Sequence, residues 1–334
     1  MPLSDLSLPE LQQFHPERCE PADFDAFWAR TLDEADVHPL DPTFTPEVGP
    51  LTGVEVYDVS FAGYGGQRVH GWLVLPVRRD KPLPCVVEFP GYGGGRGLPH
   101  EQLLYAVAGF AHLVIDVRGQ GGSWRAGATG DDAPAGDGST HPGFLTRGVT
   151  DPDRYYYRRV TVDAVRAIAV ARSHPAVDPT RIAALGASQG GGLALTVAGL
   201  VPDLTAVVAD VPFLCHFRRG AEIAATGPYG ELARYLAVHR DRGDRVFRTL
   251  DYFDAVNHGA RASAPARFSV ALMDTTCPPS TVFAAYHHYA ADKRMEVHTF
   301  NGHEGGGAYQ DGLNLTYLRG AFGIDRLEVR APSA

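Results

Sequence analysis

Basic charge is in deficit along this chain. Its 334 residues carry 30 Lys and Arg against 39 Asp and Glu, a net charge of −9. Nucleic-acid binding needs a basic patch or stripe, so this balance argues against that partner. Arginines do pair at Arg158-Arg159 and Arg218-Arg219, beside acidic or aromatic neighbours; structural ion pairs are the expectation there. Cysteine is scarce. Cys19, Cys85, Cys215 and Cys277 are scattered and form no CxxC, which excludes a disulfide framework and a zinc ribbon. No apolar run reaches the ~18 residues of a membrane span. The opening residues show no basic stretch followed by an apolar one, so no secretory signal is expected. A cytoplasmic protein with reduced thiols follows from these absences. His287-His288 is the only histidine pair. It lacks carboxylate or cysteine partners at ligand spacing, so a packing or surface role is expected, and no metal.

What is present is core-forming material. Hydrophobic residues make up 44% of the chain, and they are arranged in alternating strand and helix patterns. An amphipathic helix is expected over 22–35. "VEVYDVSF" and "RVHGWLVLP" alternate around "AGYGGQ" and predict a β-hairpin. Apolar strands are expected at 84–89, 111–117, 181–186, 205–211, 266–273 and 294–300. Helices are expected at 101–108, 155–173, 189–200, 280–290 and 307–322. This rhythm predicts an α/β fold, a mostly parallel doubly wound sheet with helices on both faces. Two segments interrupt it: a Gly/Asp/Pro-rich excursion over 125–152, and a helical, strandless insertion at 213–262 that reads as a cap. No repeat, low-complexity tract or linker divides the chain, so one domain over 1–334 is expected.

The stretch "RIAALGASQGGGLALTVAGL" sets Ser188 between Gly186 and Gly190, after a strand and before a helix. G-x-S-x-G in that context is the nucleophile elbow of α/β-hydrolases. The turn is too sharp for side chains beside the serine. The helix that follows aims its free N–H groups and its dipole at the site, favouring negative charge there. The backbone N–H of Gln189 becomes a candidate oxyanion donor.

A nucleophilic serine needs a base and a carboxylate, expected in the order Ser, Asp, His. Asp274 follows the strand at 266–273, and His303 lies in the loop after the last strand. Each also has a plainer reading: Asp274 as the Asx-turn or N-cap residue before Pro278-Pro279, His303 as one of fourteen histidines. Asp210, ending the strand after the elbow, is a rival carboxylate. "EFPGYGGGRG" fills the loop after the first parallel strand, and its glycines let backbone approach substrate closely. The N–H of Tyr92 is the second candidate donor. Read as a phosphate loop, the segment lacks both a G-x-G-x-x-G opening a helix and a Walker lysine.

These residues carry a family resemblance. "DVRGQGGS", "GFLTRGVTDPDRYYYRRVTVDAVRA", "GASQGGGLAL", "DVPFLCHFRR", "MDTTCPPSTVFAAY" and "NGHEGG" together resemble the acetyl xylan esterase/cephalosporin C deacetylase family, across nearly the whole chain. The resemblance implies a serine esterase that removes acetyl groups from acetylated sugars and from cephalosporin C, without cofactor. It implies a triad of Ser188, Asp274 and His303 and oxyanion donors at Tyr92 and Gln189. Phe213, Pro228 and Thr276 are implied to line the acyl pocket, with Thr276 standing where some relatives carry a bulkier aliphatic residue. Arg118, Gly119 and Gln120 form the "RGQ" motif, with Arg118 expected to organise loops beneath the triad. A cytoplasmic, ring-like hexamer is also implied. A serine peptidase or C–C hydrolase on this fold, and a non-catalytic binding protein, are the rival classes.

Overall fold

The computed structural model describes residues 3, 5–132, 141–224 and 226–324. Residues 133–140 of the expected excursion and Ala225 of the expected insertion lie outside them. Nine strands run through the described residues: β1 (Thr43–Pro46), β2 (Val54–Ala62), β3 (Arg68–Pro76), β4 (Leu83–Phe89), β5 (Ala111–Ile115), β6 (Val177–Ala187), β7 (Ala206–Asp210), β8 (Ala266–Ala271) and β9 (Lys293–His298). They form one sheet in the order β1-β2-β3-β5-β4-β6-β7-β8-β9. The β2–β3 hairpin and β1 are antiparallel, and β3 joins β5 antiparallel. From β5 to β9 every pairing is parallel.

The helices are α1 (Leu8–Gln13), α2 (Phe24–Asp36), α3 (Leu104–Val107), α4 (Tyr156–Ser173), α5 (Gln189–Leu200), α6 (Phe217–Ile223), α7 (Gly227–Val238), α8 (Gly243–Leu250), α9 (Ala255–Gly259), α10 (Pro279–His288) and α11 (Gly307–Ala321). The central strands are apolar on both sides because both faces are covered. Cys85, Val87 and Phe89 of β4 join the large cluster with α2, α4, α5 and α9. Val86, between them, meets Tyr105, Phe110, Leu318 and Phe322 on the α3 and α11 side. The doubly wound α/β arrangement expected from the sequence is therefore present.

Four differences from these expectations stand out. The helix expected at 101–108 shrinks to α3, because Pro99–Glu101 forms a separate tight turn in which Glu101 accepts the Leu98 N–H at 2.6 Å. α1 and β1 were not anticipated; β1 is a four-residue edge strand bounded by Pro46, where no ladder N–H is required. β9 ends at His298 rather than 300. Within the expected 213–262 insertion, α9 lies in the helical layer against α5. A Cβ at Gly199 would stand 2.3 Å from the His258 carbonyl, so the two backbones nearly touch there.

Three of the four paired arginines form the expected ion pairs. Arg158 bonds Glu34 at 2.6 Å, Arg159 bonds Asp131 at 2.7 Å and Arg219 bonds Asp5 at 3.0 Å. Arg218 lies over the Phe247 ring. His287 and His288 face the carbonyls of Leu11 and Pro16, tying down the N-terminal segment. Among the described residues no helix is long and apolar enough to cross a membrane.

Candidate active site

The strand order creates the site. β4 has β5 on one side and β6 on the other, so the chain departs in opposite directions beyond its carboxyl end, leaving a crevice. Phe89 of β4 stands in register with Gly186 of β6. The glycine-rich loop after β4 and the elbow after β6 are therefore neighbours, although about a hundred residues separate them in sequence.

At the elbow Ser188 has φ 56° and ψ −120°, a left-handed conformation for a residue with a side chain. Such strain costs on the order of 1–3 kcal/mol and persists only where the surroundings enforce it. They do so here: the Ser188 N–H donates to the Asp210 carbonyl at 2.9 Å, and the Phe213 N–H donates to the Ser188 carbonyl at 2.9 Å. A Cβ at Gly190 would fall 1.8 Å from the Phe89 carbonyl oxygen, and one at Gly186 would fall 2.3 Å from the Gly190 carbonyl carbon. Only glycine lets helix, strand and loop close this tightly.

Loops from three strands meet at the serine. Ser188 Oγ lies 3.0 Å from His303 Nε2, and His303 Nδ1 lies 2.8 Å from Asp274 Oδ2. Asp274 is fully buried. Its other oxygen, Oδ1, accepts the backbone N–H groups of Thr276 at 2.7 Å and Cys277 at 2.9 Å. The turn reading and the imidazole-partner reading of Asp274 thus describe its two oxygens. The His303 loop is folded by Glu304, whose carboxylate accepts from Asn301 and from the Gly302 N–H. Asp210, the rival carboxylate, faces elsewhere: it accepts from Gln310 at 2.9 Å and Asn314 at 2.6 Å on α11. Burial pushes its pKa up to about 6. An imidazole held between a hydroxyl and a buried carboxylate can take the hydroxyl proton and return it to a leaving group.

Beside the serine, the backbone N–H groups of Tyr92 and Gln189 have no hydrogen-bond partner among the described residues. Two donors left open next to a hydroxyl can hold an oxyanion. Their loops are clamped together through "RGQ". Gln120 Oε1 accepts the Gly93 N–H at 2.7 Å, and the side chains of Gln120 and Gln189 bond each other. Arg118 instead grips Asp163 on α4 with Nε at 2.6 Å and Nη2 at 2.7 Å, and Gln67 at 2.7 Å. The Gly119 backbone is left-handed, at φ 68°, the bend that sends Arg118 and Gln120 to different partners. Of the expected acyl-pocket residues, Phe213 is buried with its ring 6.0 Å from that of Tyr92. Thr276 Cγ2 faces the Gly227-Pro228 start of α7, 3.1 Å from where a Gly227 Cβ would lie.

The sequence of this chain matches the family Acetyl xylan esterase (AXE1) over residues 1–320. The chain belongs to the acetyl xylan esterase family. It is thereby one of the carboxylic ester hydrolases built on the α/β-hydrolase fold. It is similar to a solved acetyl xylan esterase from Paenibacillus sp. R4, with 40% identity and a TM-score of 0.88, covering 94% of this chain and 99% of that one. Acetyl xylan esterase 1 from Thermoanaerobacterium sp. JW/SL YS485 superposes with a TM-score of 0.87 at 31% identity, covering 95% and 99% of the two chains. Acetyl esterase Axe7A of Xylanibacter ruminicola is 31% identical over 298 residues, which are 88% of this chain and 66% of that protein. The chain thus spans just under two thirds of that relative's length.

Around Ser188 the structure adds groups that spacing did not reveal. Cys277 Sγ stands 3.9 Å from Ser188 Oγ. Burial and nearby Asp274 push its thiol pKa well up, so it stays neutral. The expected pairing of Asp274 with His303 is joined by Cys277, with one ligand-type atom from each within 4.8 Å of the others. Tyr92 Oη donates to Glu231 of α7 at 2.6 Å and accepts from the N–H groups of Gly143 and Leu145. Tyr157 Oη donates to Gln189 Oε1 at 2.7 Å. The only sequence trace of that last contact was the tyrosine run "YYY".

Proposed function

We propose that this chain is a serine esterase that removes acetyl groups from acetylated xylo-oligosaccharides through an acetyl-enzyme. The observation that carries the reading is the chain Ser188–His303–Asp274, at 3.0 and 2.8 Å, beside two open backbone donors. In this reading Ser188 Oγ attacks the acetyl carbonyl carbon as its proton passes to His303 Nε2. Asp274 holds the imidazole in the tautomer with Nδ1–H and stabilises the cation that forms. The N–H groups of Tyr92 and Gln189 hold the oxyanion. The carbon–oxygen bond to the sugar breaks, and the sugar oxygen takes the proton from His303. Water then attacks the acetyl-enzyme by the same route, releasing acetate and restoring Ser188. Phe213, Pro228, Thr276 and Tyr92 bound the acyl methyl. The acetyl ester of cephalosporin C is a second substrate of the same chemistry. Cytoplasmic residence, a ring-like hexamer, and a single domain with α6–α8 as its cap complete the reading; sedimentation of the purified protein tests the assembly.

The deciding measurement is acetate release from acetylated xylo-oligosaccharides by wild type and by Ser188→Ala. Wild type is expected to turn over, and Ser188→Ala to lose on the order of a million-fold in kcat while staying folded. A folded Ser188→Ala protein that keeps its turnover overturns the assignment.

A further inference from the structure

We propose that the exposed indole of Trp124 is the platform on which the sugar ring bearing the scissile acetate stacks, an inference that rests on the esterase reading above. The three tryptophans are treated differently by the fold. Trp28 and Trp72 are 2% and 8% exposed, with their Nε1–H groups bonded to the carbonyls of Tyr252 and Gly97. Trp124 is 57% exposed. Its Nε1–H nevertheless has a fixed partner, the carbonyl of Tyr92, at 2.9 Å. A large apolar ring is thus kept in solvent and anchored there.

The anchor lies at the site. Tyr92 is the residue whose own N–H is the expected oxyanion donor, so the indole is fastened to the same residue as the reacting carbonyl. The Cβ that a residue at position 91 would carry lies 3.3 Å from Trp124 Cζ2 and 4.0 Å from Ser188 Cβ. The indole edge therefore stands one side chain's breadth from the nucleophile. A Cβ at Gly94 would fall 2.5 Å from Trp124 Cζ2 and 2.7 Å from Cε2. The run "GYGGG" is consequently a seat for the ring as well as a close approach for backbone. Arg125, held to Glu88 at 3.4 Å, places its guanidinium 5.0 Å from the ring centroid and braces it.

Scattered exposed apolar side chains are ordinary and need no function. Trp124 differs in being immobilised by a hydrogen bond beside a hydrolytic serine. The chemistry of the substrate supplies the match. In an acetylated pyranoside the carbonyl carbon is two bonds from the sugar ring. A β-xylopyranosyl ring carries its hydroxyls equatorially, so its faces are axial C–H groups that pack on an aromatic surface while the hydroxyls stay in water. A rigid amphipathic ring offers this contact at little entropic cost.

The test compares wild type, Trp124→Ala and Trp124→Phe on acetylated xylotriose and on ethyl acetate, which has no sugar ring. For Trp124→Ala the ratio of kcat/KM on xylotriose acetate to that on ethyl acetate is expected to fall about tenfold, carried by KM. Trp124→Phe, which keeps a ring but loses the bond to Tyr92, is expected to hold the ratio within about threefold of wild type. In a Ser188→Ala background, adding acetylated xylotriose is expected to change tryptophan fluorescence, and Trp124→Phe to abolish that change. An unchanged ratio in Trp124→Ala overturns the proposal. So does an equal loss on both esters in both variants, which makes Trp124 a support for the Tyr92 loop, or an unchanged ratio with altered oligomerisation, which makes the indole a contact between copies. Wild type that cleaves ethyl acetate but no sugar acetate overturns the substrate reading and this inference together. Wild type active on sugar acetates with an unaltered Trp124→Ala ratio overturns this inference alone.

Discussion

Gln120 and Gln189 present their side-chain amides to each other, Nε2 of Gln120 to Oε1 of Gln189 at 2.9 Å and Nε2 of Gln189 to Oε1 of Gln120 at 3.2 Å. Neither amide can be turned around. The Gly93 N–H requires an acceptor from Gln120, and the Pro90 carbonyl requires a donor from Gln189. Each remaining position is filled by Tyr156 or Tyr157. A buried polar network satisfied at every member fixes one geometry. Here it fixes the distance between the loop bearing Tyr92 and the turn bearing Ser188.

Removing one member should therefore act on turnover. Gln120→Ala frees the Gly93 N–H and leaves the Gln189 amide half paired, at about 1–3 kcal/mol for each buried group left unsatisfied. Deleting an oxyanion donor outright costs 10²–10³ in kcat; displacing one should cost about tenfold or more. Measured with p-nitrophenyl acetate, kcat should fall with little change in KM, alongside a lower Tm. A lower Tm with wild-type kcat would make the network a matter of stability only.

The two aspartates should separate cleanly. Asp274→Asn offers His303 Nδ1 an amide where a carboxylate stood, and a drop of roughly four orders of magnitude in kcat is expected, as the imidazole settles in the wrong tautomer. Asp210→Asn should leave kcat within about threefold, because Asp210 bonds α11 and not the imidazole. The reverse ranking in a side-by-side assay would transfer the role to Asp210.

Much of this was legible beforehand, for reasons that particular residues show. Gly186 and Gly190 were readable because only one residue type fits the contacts at the elbow. Asp274 and His303 were readable because strand ends are visible in apolar runs, and a parallel sheet brings such ends to one edge. α1 and β1 were hidden, being too short to show a period. Cys277, Glu231 and Trp124 were hidden for another cause. Each reaches the serine or its loops through a contact between distant segments, and nothing in a linear string records which loop leans on which.

Stability should carry a pH signature at Asp251. This half-buried carboxyl has its pKa pushed up to about 7 by burial and by the neighbouring Asp254, against an opposing pull from Arg218. In the unfolded chain it titrates near ~3.9. The folded state thus favours the protonated form, and the stability this gives is complete below the unfolded value and lost as pH rises through about 7. Asn imitates the neutral carboxyl. Asp251→Asn should raise Tm above wild type at pH ~8, with the advantage fading by pH ~4. An equal offset at both pH values would contradict the assigned titration.

Acyl-chain preference should reveal how short the pocket is. Phe213 is completely buried, its N–H holds the Ser188 carbonyl, and its ring packs 4.7 Å from Tyr229 as well as beside Tyr92. Such a wall cannot retreat without disturbing the elbow itself. Each methylene added to the acyl group gains only ~0.8 kcal/mol from burial, whereas forcing extra volume into a packed wall costs ~1–3 kcal/mol. Chain extension should lower kcat/KM once the space is filled. In the proposed pocket the adjustable boundary is Thr276, whose methyl meets the start of α7 at Gly227 rather than the β-sheet. In a p-nitrophenyl ester series from acetyl to octanoyl, the maximum is expected at acetyl or propionyl. Thr276→Leu, filling that boundary, should sharpen the preference for acetyl by about threefold to tenfold over butyryl. A maximum at hexanoyl or beyond would describe an open acyl channel, and the walls named here would not be the ones the substrate meets.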